Sequence, residues 1–177
     1  MTPKKVTPQQ KILRERARRL ARRPEGEAAE EDLLQIVGFT LAGESYGVES
    51  HLVSEVFGLQ EVAHVPCTPD FVLGIINIRG RIVSVVDLRV VFGMEARPLS
   101  GAARAIVLAS RDMEFALAAE SVRGIRGLPA AALQPPLPTL TGAKRDYTRG
   151  VTGEGLILID VGKMLSDPGL LVDETVA

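Results

Sequence analysis

The chain has no tryptophan, one cysteine, two histidines, five phenylalanines and two tyrosines among its 177 residues. Each scarcity removes a class of function. A lone thiol, Cys67, excludes an internal disulfide, and nothing beside it marks an activating base for nucleophilic chemistry. His51 and His64 have no second His, Cys or carboxylate at ligand spacing, so both read as surface or partly buried imidazoles and no metal is expected. The few aromatics fall largely at core positions, which leaves a stacking platform for single-stranded nucleic acid undersupplied. No apolar run reaches the roughly 18 residues of a membrane span, and no hydrophobic segment lies near the start. A cytoplasmic, soluble protein without membrane insertion is expected.

What is present is a body able to bury a core, at 46% hydrophobic residues, and an uneven distribution of charge. Residues 1–23 hold nine Lys or Arg against Glu15 alone, and residues 25–32 add five acids. Residues 33–177 then keep 12 basic and 16 acidic side chains, a balance that disfavours bulk attraction to nucleic acid. Thr7-Pro8-Gln9-Gln10 has the form of a capping box. Leu13, Ala17 and Leu20 follow on one helical face until Pro24, so a basic amphipathic helix and an acidic linker are expected over residues 1–32.

The most informative stretch is Gly74 to Gly93, GIINIRGRIVSVVDLRVVFG. Two β-branched runs flank Arg79-Gly80-Arg81, which predicts a hairpin with a tight charged turn. Asp87 stands at a helix N-cap, with Leu88, Val91 and Phe92 at helical spacing and Gly93 at the stop. Its polar side chains, Asn77, Arg79, Arg81, Ser84, Asp87 and Arg89, form no nucleophile-base or metal-ligand set.

A shift of 69 residues superposes the first part of the body on the second: Val37 on Ile106, Phe39 on Leu108, Tyr46 on Phe115, Val48 on Leu117, Val53 on Val122, Val56 on Ile125 and Gly58 on Gly127. Each copy reads as a hairpin, a short helical segment and another strand. Gly74–Asp87 finds its counterpart in Gly150–Asp160, so Asp87 and Asp160 read as equivalent caps rather than an acid-base pair. Units this small, with short strands and glycine turns, suit small barrels, and two SH3-like barrels are expected. Gly124-Ile-Arg-Gly127 and Gly150-Val-Thr-Gly153 lack the context of a phosphate loop, and Pro135-Pro136-Leu137-Pro138 reads as a stiff surface connection.

The GIINIRG turn leading into a hydrophobic strand and an Asp-Leu helix start resembles the signature of the CheW family, the adaptors of bacterial chemosensory arrays. Tyr46-Gly47-Val48, Phe115-Ala116-Leu117, Tyr147, Gly150-Val151 and Leu156–Asp160 extend the resemblance over roughly residues 33–170, with residues 171–177 left as a tail. It implies a mainly β fold of two intertwined five-stranded barrels with short helices and a hydrophobic groove between them. It also implies no enzymatic activity, no cofactor, and two partners: the regulatory domain of a CheA-type histidine kinase and the cytoplasmic tips of chemoreceptors. In such proteins the arginine of the motif lies beside the groove and pairs with a glutamate on the first helix; these correspond to Arg79 and Glu55. Val53, Gly74, Asn77 and Gly80 complete the implied partner-binding set.

The residues alone leave other readings open: a solvated charge for Arg79, core packing for Val53 and a close backbone approach for Gly74. Ser84 stands where the family commonly has a proline, and the basic N-terminal helix is outside the minimal adaptor. For that helix an acidic or helical protein partner, a solvated tail, and anionic lipid or nucleic acid remain as readings. The rival function is a small-barrel nucleic-acid-binding protein using the basic arm.

Overall fold

The computed structural model describes residues 33–111 and 113–170. The helix expected within residues 1–32 and the tail at 171–177 lie outside the described residues. The body begins with β1 (Leu33–Leu41) and β2 (Glu44–Glu49), a 3-10 turn at Ser50–Leu52, and β3 (Val53–Gly58). A second hairpin, β4 (Val72–Ile78) and β5 (Arg81–Val86), runs into helix α1 (Leu88–Val91). The second repeat supplies β6 (Arg104–Ala109), β7 (Glu114–Ala119) and β8 (Ser121–Pro129). It closes with β9 (Leu133–Gln134), α2 (Gly142–Asp146), β10 (Thr148–Thr152), β11 (Ile157–Ile159) and α3 (Val161–Leu165).

The 69-residue repeat holds at the level of strand register. Val37 faces Val48 and Phe39 faces Tyr46 across β1 and β2, while Ile106 faces Leu117 and Leu108 faces Phe115 across β6 and β7. One sheet runs β8-β1-β2-β11-β10-β9 and the other β3-β6-β7-β5-β4. Each sheet therefore takes its first hairpin from one repeat and its remaining strands from the other, which is the expected intertwining. The strands join across parallel pairings, β2 with β11 and β5 with β7. One sheet has a sixth strand, the two-residue β9 on β10, beyond the expected five.

Alternating side chains explain why so many strands lack a polar face. Ala105 and Val107 of β6 and Ala116 and Ala118 of β7 point into one cluster with Ile76, Ile78, Val83 and Val85. Their neighbours Ile106, Leu108, Phe115 and Leu117 point into a second cluster with Val37, Phe39, Tyr46, Val48, Ile157 and Ile159. On the other sheet Ile36, Leu156 and Leu158 fill a third. Each sheet thus curls around its own core while its outer face packs on the other sheet, and strands buried on both faces read as continuous apolar runs. Phe57 of β3 and Ile76 of β4, from opposite edges of one sheet, meet in the same cluster. The alanines between them are small enough to permit that curl.

Two expectations are corrected. The resemblance placed Glu55 on a first helix, but it lies in β3, and among the described residues the only helical turn before it is Ser50–Leu52. The second repeat has no helical segment between β7 and β8. Glu120 alone separates them, and its N–H donates to Thr40 O at 3.0 Å, drawing the chain directly onto β1.

Candidate protein-binding site

The β4–β5 hairpin closes through a two-residue turn, with Ile78 paired to Arg81 and Arg79-Gly80 between them. Both turn residues have positive φ, +51° for Arg79 and +87° for Gly80, the mirror-image turn that matches strand twist. Asn77 supports it: its Oδ1 accepts from the Gly80 N–H at 2.8 Å. Asn-Gly is a favoured pair for such a turn, yet this chain carries an arginine at the first position. A left-handed conformation costs a residue with a Cβ about 1–2 kcal/mol, and such strain is retained where surrounding structure or use sustains it.

Around the tip lies a chain of alternating charges. Arg79 Nη2 is 3.3 Å from Glu55 Oε2, and Arg81 Nη2 donates to Glu55 Oε1 at 3.2 Å. Arg81 Nη1 donates to Glu114 Oε1. The curl of the sheet makes this possible, since β3 sits at one edge, β5 is fourth in order, and β7 runs parallel beside β5. Arg79 is the outermost member, its side chain 81% exposed against 24% for Glu55. Val56 and Ile82, next in sequence to Glu55 and Arg81, are exposed apolar side chains.

The remaining implied residues do not join this cluster. Gly74 pairs with Val85 toward the open end of the hairpin. With φ +143°, a Cβ there would stand 2.2 Å from Ala63 O, so the site requires glycine for a close backbone approach. Val53 opens β3 opposite Leu108 and packs on the core between the sheets. Arg81, at the end of the charged turn, and Glu114 belong to the cluster although the resemblance implies a role for neither. Neither has a local signal, because their pairing depends on strands brought together by the fold.

Apart from this cluster, the ion pair of Arg89 with Asp87 is buried. Asp87 caps α1 by accepting from Arg89 N at 2.9 Å, and takes Arg89 Nε at 3.0 Å and Nη2 at 2.7 Å on its two oxygens. Arg89 Nη1 donates to Arg97 O at 2.8 Å. The hydrogen bonds to Asp87 hold the guanidinium pKa above its ordinary value against burial. Asp160, in the equivalent place, accepts from Lys163 N, so both aspartates act as caps. Among the described residues no group of His, Cys, Asp and Glu has the arrangement of a metal site. Among them, too, no helix is long and apolar enough to cross a membrane.

The CheW-like domain model matches residues 35–169, the whole of the intertwined body. The chain belongs to the CheW-like family. It is 31% identical over 142 residues to the chemotaxis protein CheW of Klebsiella aerogenes, covering 78% of this chain and 86% of that one. The protein PilI of Pseudomonas aeruginosa is 29% identical, with 77% of each chain covered. The crystal structure of the scaffolding protein TtCheW from Thermoanaerobacter tengcongensis superposes with a TM-score of 0.65 at 31% identity, over 72% of this chain and 88% of that one. That likeness agrees with an SH3-like fold. CheW-like family proteins are scaffolds and adaptors, not enzymes, and this chain is a chemotaxis adaptor that works through protein-protein contacts.

Proposed function

We propose that this adaptor couples chemoreceptor cytoplasmic tips to the regulatory domain of a CheA-type histidine kinase, in the cytoplasm beside the receptor array, with the β4–β5 tip as a contact. The observation that carries the site is Arg79: an exposed arginine kept in a left-handed turn position and ion-paired to Glu55, on a sheet whose strands also carry the exposed apolar side chains Val56 and Ile82. Arginine is among the residues enriched in binding hot spots. Glu55 lies beside the guanidinium as its ion-pair partner, Asn77 and Gly80 hold the turn beneath it, and Gly74 and Val53 fix the strands that carry the site.

The mechanism is geometric. A partner helix laid against such a surface gains from apolar contact and from a charge-assisted hydrogen bond to Arg79. Separate faces of the body bind receptor and kinase, and receptor state is passed on by a shift in those contacts. Individually weak contacts persist in an array through avidity. Residues 33–170 form the coupling unit, with residues 1–32 an added segment.

The test is retention of the kinase regulatory domain and of a receptor-tip fragment by immobilised full-length protein, wild type against Arg79→Glu. Loss of at least one partner is expected, with melting lowered by no more than about a few degrees. Equal retention of both would remove Arg79 from the site. A salt-sensitive complex with an oligonucleotide and none with either protein would instead favour the nucleic-acid reading.

A further inference from the structure

The charge cluster holds more than the pair that the proposed site requires, and its hydrogen bonds are unequally shared. Glu55 has two basic neighbours, but only Arg81 meets it with hydrogen-bond geometry, at 3.2 Å on Oε1. Arg79 lies 3.3 Å from Oε2 as an ion pair and donates no side-chain hydrogen bond among the described residues. Arg81 is itself fixed from the other side by Glu114, and is less exposed than Arg79, 48% against 81%. A guanidinium has five N–H donors in a planar fork, and a carboxylate accepts two of them side by side when nothing competes. Arg81 is the competitor that prevents this closure.

We propose that Arg81, anchored by Glu114, is a positioning residue that holds Glu55 by one oxygen and so leaves the Arg79 donor fork open for a carboxylate on the protein partner. This rests on the proposed contact role of the hairpin tip. The two arginines and two carboxylates sum to no net charge, so attraction of a distant acidic surface is small. What the arrangement provides is a directional demand: a partner carboxylate aligned with the fork is rewarded, and a basic side chain in the same place is not. Without Arg81, Glu55 swings wholly to Arg79 and occupies the fork itself.

The test uses the full chain in two ways. Binding of the same organism's kinase regulatory domain, and separately of a receptor-tip helical hairpin, is measured for Arg81→Met, Arg81→Lys and Glu114→Gln in the wild-type and Glu55→Gln backgrounds. Arg81→Met should weaken binding about two- to fivefold, the range of an exposed ion pair. Arg81→Lys should restore most of that loss. In the Glu55→Gln background Arg81→Met should have no further effect, since Arg81 acts through Glu55; the same loss in both backgrounds would mean that Arg81 touches the partner directly and would overturn the proposal. The second measurement needs no partner: side-chain nitrogen NMR of the free protein. Rotation of the Arg79 guanidinium should be fast in wild type and hindered in Arg81→Met, where Glu55 closes on it. Unchanged Arg79 signals would overturn the positioning role whatever the binding result. If Arg79 signals respond while Arg79→Glu still binds both partners normally, the positioning stands and the contact role of the tip fails.

Discussion

Replacing Arg79 by asparagine and by alanine separates its cost to the fold from its value at the surface. Both substitutions remove the ion pair with Glu55, which at 81% exposure of the arginine contributes about 0–1 kcal/mol. Only asparagine relieves the backbone, because its short polar side chain tolerates the left-handed region while alanine keeps the Cβ clash at φ +51°. The difference between the two variants therefore isolates the backbone term, and Arg79→Asn should be more stable than Arg79→Ala by about 1 kcal/mol. Against wild type, relief and loss offset, so Arg79→Asn should fall within about 1 kcal/mol of the parent. Urea titration resolves this, and calorimetry should show the asparagine variant melting about 2–4 °C above the alanine one. Binding should move the other way: the more stable Asn variant should lose partner affinity along with Ala. Equal stability of the two variants would refute the strained-turn argument, and normal binding by Arg79→Asn would mean that the guanidinium has no contact to make.

Arg89→Met should cost about 3–5 kcal/mol in urea, because it leaves the buried Asp87 carboxylate without its partner; a loss under about 1 kcal/mol would show that the pair is dispensable. Gly74→Ala should destabilise by about 1–3 kcal/mol at least through its backbone conformation, with the approach to Ala63 O adding to it, and any loss of binding should track the unfolded fraction. The chain's two tyrosines should not ionise at pH 10 while folded. Burial and then its hydrogen bond to Asp167 push Tyr147 up to about 12. Burial and then the hydrogen bond to Glu44 raise Tyr46 as well. A raised folded pKa means that these groups add stability fully present below the unfolded value near 10 and lost as pH rises toward 12. Ultraviolet titration in buffer and in urea checks this, and coincident curves would contradict it. A variant lacking residues 1–32 should fold and retain the kinase regulatory domain; loss of cooperative melting would refute the boundary at residue 32.

The sequence by itself determined whatever rests on neighbours along the chain or on a period. The turn between Ile78 and Arg81, the cap at Asp87, its equivalent at Asp160 and the 69-residue repeat were all readable, because hairpins, caps and alternation are set by residues within a few positions of one another. The repeat even carried the register, since a one-residue slip would turn every apolar side chain to the wrong face. The resemblance added a pairing of Arg79 with Glu55 but put the glutamate on a helix.

Only the tertiary structure decided which strands exchange, and with them the charge cluster. Arg81 and Glu55 are 26 residues apart and Arg81 and Glu114 are 33 apart, on strands β3, β5 and β7 that the sheet order β3-β6-β7-β5-β4 brings together out of chain order. No local propensity registers such a pairing; it exists because small alanines let the sheet curl until its edge strand reaches the hairpin. The same holds for Arg89, whose sequence suits an exposed helical turn. It is buried because Asp87 and the carbonyl of Arg97 meet its donors there, and the unpaired charge would otherwise remain in water.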